Sequence, residues 1–122
     1  MEQEGCILMR NIKDMWDFPV MEGVLFEKAN RVHPLMQARV ENLIHQISQD
    51  PNAKKVVLFG SSLEFHCNSN SDIDLYIEKY EKDKKLHPLS DVGCEVDIIT
   101  DLPLHSALYR EIEKTGLLLF ER

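Results

Sequence analysis

At 122 residues the chain has room for one domain with one core, and 43% hydrophobic content can fill it. A formal charge of −7 argues against a nucleic-acid backbone as partner, since such binders gather Lys and Arg to displace counterions. No apolar run approaches the roughly 20 residues of a membrane span, and the first residues are acidic rather than a basic-then-apolar leader. Three unclustered cysteines (Cys6, Cys67 and Cys94) suit neither a disulfide framework nor a zinc site, so the expected setting is a reduced cytoplasm.

Residues 1–33 read as an N-terminal extension. Ile7, Leu8, Ile12, Met15 and Trp16 fall at nearly helical spacing until Phe18-Pro19 breaks the pattern. Trp16, Phe18 and Met21 suit either core packing or an interface anchor. From Pro34 the order becomes regular, and 34–122 is expected to fold as the functional domain. Pro34 opens a helix through Gln49, with Met36, Val40, Leu43, Ile44 and Ile47 at helical spacing, and Asp50-Pro51-Asn52 ends it. Strands follow near 55–59, 72–79 and 94–100, with a loop over 61–71 that has room for one helical turn. Lys79 to Lys85 is interrupted by Glu81 and Asp83 and reads as a solvated loop. Asp101 is the expected cap of a second helix, with Pro103 in its first turn and Leu104, Leu108 and Ile112 as its apolar stripe. Thr115-Gly116 stops that helix, and Leu117 to Phe120 form a final strand. The fold class is therefore α+β (mixed α/β), a small mixed sheet backed by helices on one face.

Chemistry concentrates in Val56-Val57-Leu58-Phe59-Gly60-Ser61 and in Asp72-Ile73-Asp74. An apolar strand delivers Gly60-Ser61 to a turn, which can offer backbone N–H groups and a hydroxyl to phosphate. A second strand then presents Asp72 and Asp74 on one face, with Ile73, Leu75 and Ile77 on the other. Paired carboxylates repel unless a cation lies between them, and this pairing suits a divalent ion. Asp97, set between Val96 and Ile98, is costly to bury without a partner. Beside the Asp72–Asp74 strand it would be a third ligand or the general base of a two-metal site. Tyr76 shares the face of the acids and is expected to pack rather than react.

Gly60-Ser61, ten intervening residues, Asp72-x-Asp74 and a later strand Asp97 resemble the minimal nucleotidyltransferase (MNT) domain of the DNA polymerase β-like superfamily. The resemblance spans residues 34–122 and implies that family's nucleotidyltransferase fold. It implies that Gly60 and Ser61, with Ser62 in the same turn, hold the phosphates of ATP or another NTP. It also implies that Asp72, Asp74 and Asp97 hold Mg²⁺ and act in catalysis. Many members follow Gly-Ser with an Arg and place a Gly three residues beyond it; Ser62 and Phe65 stand at those positions. The implied activity is Mg²⁺-dependent transfer of a nucleoside monophosphate, AMP from ATP, onto a hydroxyl. The implied acceptor is a partner protein, as in small antitoxins of this type that modify a HEPN-domain toxin. Two other readings stay open: a nucleotide-binding module that blocks its partner by contact, and transfer to a small molecule such as an aminoglycoside. Base preference and oligomeric state are not fixed by these residues.

Overall fold

Proline fixes its own φ and lacks an N–H, so it fits the first turn of a helix, where that N–H has no intrahelical acceptor. Helix α1 (Pro34–Ser48) begins this way, capped by His33, whose Nδ1 accepts the Leu35 N–H at 3.2 Å. Its buried positions Met36, Val40, Leu43 and Ile47 form one stripe. The computed structural model describes residues 17–122. The readings made for Cys6, Ile7, Leu8, Ile12, Met15 and Trp16 lie outside the described residues.

After α1 come β1 (Ala53–Phe59), a 3-10 turn at Gly60–Leu63, β2 (Ile73–Lys79) and β3 (Val96–Thr100), then α2 (Ala107–Thr115) and β4 (Leu117–Glu121). The sheet order is β3-β2-β1-β4, with β1 antiparallel to both β2 and β4, and β2 parallel to β3. This is a mixed α+β architecture, as the alternation of elements implies.

Strand alternation divides the apolar residues between two faces. Val56, Leu58, Ile73, Leu75 and Ile77 pack with the α1 stripe in one core. Val57, Tyr76 and Ile112 pack together on the other side. The helices thus cover both faces of the sheet, not one. The second helix also starts later than the sequence suggests. Ser106 is its cap, accepting the Tyr109 N–H at 3.1 Å, while Asp101 sits at φ +52 and accepts the Lys79 N–H at 2.9 Å. Leu104 and Leu108 are exposed, and only Ile112 of the expected stripe is buried. A serine hydroxyl two residues before Leu108 outcompetes the Asp-x-Pro signal because Asp101 is already engaged with β2.

Three polar side chains tie the connections to the core. Gln37 donates to the carbonyls of Pro19 and Val32 at 2.9 Å each and accepts the Met21 N–H at 2.8 Å, which fastens residues 19–32 to α1. Arg122 donates to the carbonyls of Ser48, Asp50 and Ala53, closing the end of α1 that helix geometry leaves unsatisfied. Asp50, only 3% exposed, accepts the His87 N–H at 2.6 Å and the Asn52 N–H at 3.0 Å.

Burial pushes the Asp50 carboxyl up, but the backbone N–H groups of His87 and Asn52, with His87 and Lys84 nearby, outweigh it. The group lies below the ordinary Asp range. A depressed folded pKa stabilises above the ordinary Asp value, and that stability is lost as pH falls through the folded value. Asp50→Asn should therefore cost about 1–3 kcal/mol at neutral pH. It should also flatten the loss of stability below roughly pH 4. Urea unfolding at pH 7 and pH 3 checks both, and a variant indistinguishable from wild type at each pH would contradict the assignment.

Candidate active site

The bend after β1 is built around a glycine for two reasons. Gly60 has φ +83, which side-chain-bearing residues rarely adopt, and a Cβ there would collide with Oδ2 of Asp74 and lie 3.3 Å from its Cγ. The Asp74 carboxylate therefore lies directly over the Gly60 backbone. Strand register explains the approach, since Phe59 pairs with Asp74 across β1 and β2. Ser61 closes the other side of the loop: its Oγ lies 3.4 Å from the carbonyl oxygen of Asp72. Ser61 and Asp72, 11 positions apart in sequence, thus meet at one end of the sheet.

Asp97 arrives from β3. The parallel register sets it directly across from Asp74, and side chains at paired parallel positions point to the same face. Asp74, Asp97 and Tyr76 therefore share one face, and Asp72, one residue before β2, is near enough for its charge to act on Asp74. Neighbouring strands lie about 4.8 Å apart and two residues along a strand span roughly 6–7 Å. Asp72 and Asp97 are exposed, whereas Asp74 is half-buried between them. Burial first, then the charge on Asp97 and then that on Asp72, hold the Asp74 carboxyl above the ordinary Asp range. Like charges gathered in this way cost stability and gain most from an intervening cation.

Among the described residues no group of three or more His, Cys, Asp or Glu side chains stands as a ready-formed metal cluster. Asp74 and Asp97 share a face and a register, with Asp72 just before β2, and the three do not close into a ligand set. Their chemistry fits a hard divalent ion: three carboxylates, no sulfur or imidazole among them, at the edge of a solvent-facing turn.

Ser62 behaves differently from its neighbour. Its side chain is buried, its hydroxyl has no hydrogen-bond partner, and its carbonyl accepts the His33 N–H at 2.8 Å. Its hydroxyl is thus turned inward and the whole residue is enclosed, so Ser62 braces the turn from behind while Gly60 and Ser61 face outward. His66 and Phe65 are exposed on the loop between the turn and Asp72.

Beyond Asp74 the same face continues through Tyr76, which packs as expected, to Glu78 and Tyr109, which the sequence reading left out. Tyr76, fully buried, stacks edge-on against Tyr109 at 5.8 Å and donates to Glu78 Oε2 at 3.1 Å. A cleft of about 380 Å³ opens beside this pair, lined also by Lys54, Lys82, Leu102 and Leu104. The period-2 pattern Asp72, Asp74, Tyr76, Glu78 is the signal that could have marked it.

Comparison with protein-family models matches residues 41–122 to the family described as polymerase beta, nucleotidyltransferase. The chain belongs to that nucleotidyltransferase family. Comparison with curated proteins finds no match, and neither does comparison with solved structures. Among the described residues no helix is long and apolar enough to cross a membrane.

Proposed function

We propose that this chain transfers a nucleoside monophosphate, AMP from ATP, onto a hydroxyl of a partner protein of the HEPN type. The observation that carries the reading is the position of Asp74, set at once over the Gly60 backbone and across from Asp97. A phosphate held by the turn would lie beside the acids, because Asp74 abuts Gly60 and the Ser61 hydroxyl meets the Asp72 carbonyl.

Asp72, Asp74 and Asp97 are the residues that would hold Mg²⁺, each by rotating its carboxylate toward a common centre. Bound there, Mg²⁺ lowers the pKa of an attacking hydroxyl and neutralises charge on departing pyrophosphate. The chain's own groups supply the rest. Gly60 and Ser61 offer backbone N–H groups to the β- and γ-phosphates, the Ser61 hydroxyl adds a further donor, and enclosed Ser62 fixes the shape of the turn. Asp97, exposed on the edge strand, faces the acceptor and takes its hydroxyl proton. The cleft beside Tyr76 and Glu78 lies on the same face and gives an acceptor side chain an approach. No Arg follows Gly60-Ser61, so further positive charge comes from the partner. A reduced cytoplasmic setting suits the unpaired thiols.

A second reading has one observation in its favour. With Ser62 in place of the usual Arg, and its hydroxyl turned inward, the chain could bind nucleotide and inhibit a partner by contact alone. ATP labelled at its α-phosphate, Mg²⁺ and an all-helical HEPN-type partner separate the two. Label on the partner, lost with Asp72→Ala and Asp74→Ala, is the expected result. A partner that is inhibited yet unlabelled would establish contact alone.

A further inference from the structure

The two described cysteines meet behind the acids. Cys67 lies in the loop that leads to Asp72, and Cys94 in the segment that leads to Asp97. Ile73 pairs with Val96, and the Ile73 N–H donates to the Glu95 carbonyl at 2.9 Å. Extending that parallel register by two residues sets Cys94 across from Ser71. Cys94 packs on the Ile73 side of the sheet, opposite the Asp74 and Asp97 carboxylates. Cys67 is 6% exposed in the core on that side, and Cys94 packs against the same core. The Cys67 thiol lies 3.8 Å from the Asn68 carbonyl oxygen, and the Asn68 N–H donates to the Ser71 hydroxyl at 3.0 Å, so one tight turn carries Cys67 and Ser71 together. Ser71, one residue before Asp72, thus lies between Cys94 and the turn that carries Cys67. Both cysteines are free.

We propose that Cys67 and Cys94 are an oxidation-sensitive pair whose disulfide staples the loop delivering Asp72 to the strand delivering Asp97. Cys94, the more accessible of the two, reacts first with a peroxide. Its thiolate sulfur bonds to one peroxide oxygen, the O–O bond breaks, and the departing hydroxide is protonated to water. The Cys67 thiol then attacks the sulfenic sulfur, the S–O bond breaks, and a second water leaves with the Cys67 proton. Two thiols are oxidised to one disulfide and the peroxide is reduced to two waters. To make the bond, Cys67 leaves the Asn68 carbonyl and draws the 67–71 turn toward Cys94, and Asp72 turns away from Asp74 and Asp97. The chemistry is independent of the function proposed above, while the consequence for the site rests on it.

The test uses the full chain with Cys6→Ser, so that only this pair can link. Hydrogen peroxide should yield a cross-linked Cys67–Cys94 peptide, lighter by about two hydrogens and reopened by dithiothreitol. Mn²⁺ affinity, read by electron paramagnetic resonance, should fall about tenfold or more on oxidation and recover on reduction, as when groups behind metal ligands are disturbed. Cys94→Ser and Cys67→Ala should each keep their Mn²⁺ affinity in peroxide. No cross-linked peptide would overturn the proposal, as would a cross-link without change in Mn²⁺ affinity, or equal loss in the single variants. If the reduced chain binds no Mn²⁺, the carboxylate reading fails instead, and peptide mapping still decides the pairing.

Discussion

Asp74→Asn should lower nucleotide transfer on the order of 10²–10³-fold while leaving the fold intact, as expected when a group aimed at developing charge is removed. Its effect on stability should run the other way. Asp74 is held between Asp72 and Asp97 and is partly stripped of water, so its charged form is disfavoured in the folded chain. Neutralising it relieves that repulsion, and the urea midpoint should hold or rise. A residue whose removal ends activity without harming stability is one the fold keeps for chemistry. Transfer assays and urea unfolding on the same preparation check the pair of effects. Unchanged transfer, or a collapsed midpoint, would show that Asp74 serves the fold.

Gly60→Ala should be damaging in both respects. The φ of +83 costs a side-chain-bearing residue about 1–2 kcal/mol, and the added methyl must also displace the Asp74 carboxylate. Gly23→Ala provides the comparison, because Gly23 has φ +87 but open space around it. The two variants share the backbone strain. Only the first disturbs an acid. Urea unfolding should show a larger loss at position 60 than at 23, and transfer should fail only at 60. Equal effects at the two glycines would mean that the proximity of Gly60 to Asp74 has no consequence.

How much of this was legible in the sequence follows from which interactions decide each element. The β2 pattern is period-2 with large apolar residues on one side, so Ile73, Leu75 and Ile77 announced the core face and Asp72 and Asp74 the other. Helix α1 carries a proline start and a full apolar stripe, and its bounds lie within one residue of expectation. Local signals agree with tertiary packing in both cases.

Helix α2 is where local and long-range signals conflict. Asp101-x-Pro103 resembles a helix start, but Asp101 accepts the Lys79 N–H, a bond to a residue 22 positions away that no local window can register. The covering of both faces was hidden for a similar reason. It depends on where Ile112 and Tyr109 pack, and helical spacing marks an apolar stripe without saying which face of the sheet it covers. The inward hydroxyl of Ser62 was equally invisible. Its neighbour Ser61 has the same chemistry, and only the 3-10 turn at Gly60–Leu63 separates their directions. For the candidate site, spacing named the acids, but the adjacency of Asp74 and Asp97 is a matter of strand register, which sequence alone does not set.

The most direct measurement is Mn²⁺ binding in the presence of ATP, followed by electron paramagnetic resonance for wild type, Asp72→Asn and Asp97→Asn. Three carboxylates acting as one ion-binding group at the glycine–serine bend predict clear binding by wild type and its loss in each variant. Equal binding by all three proteins would contradict it.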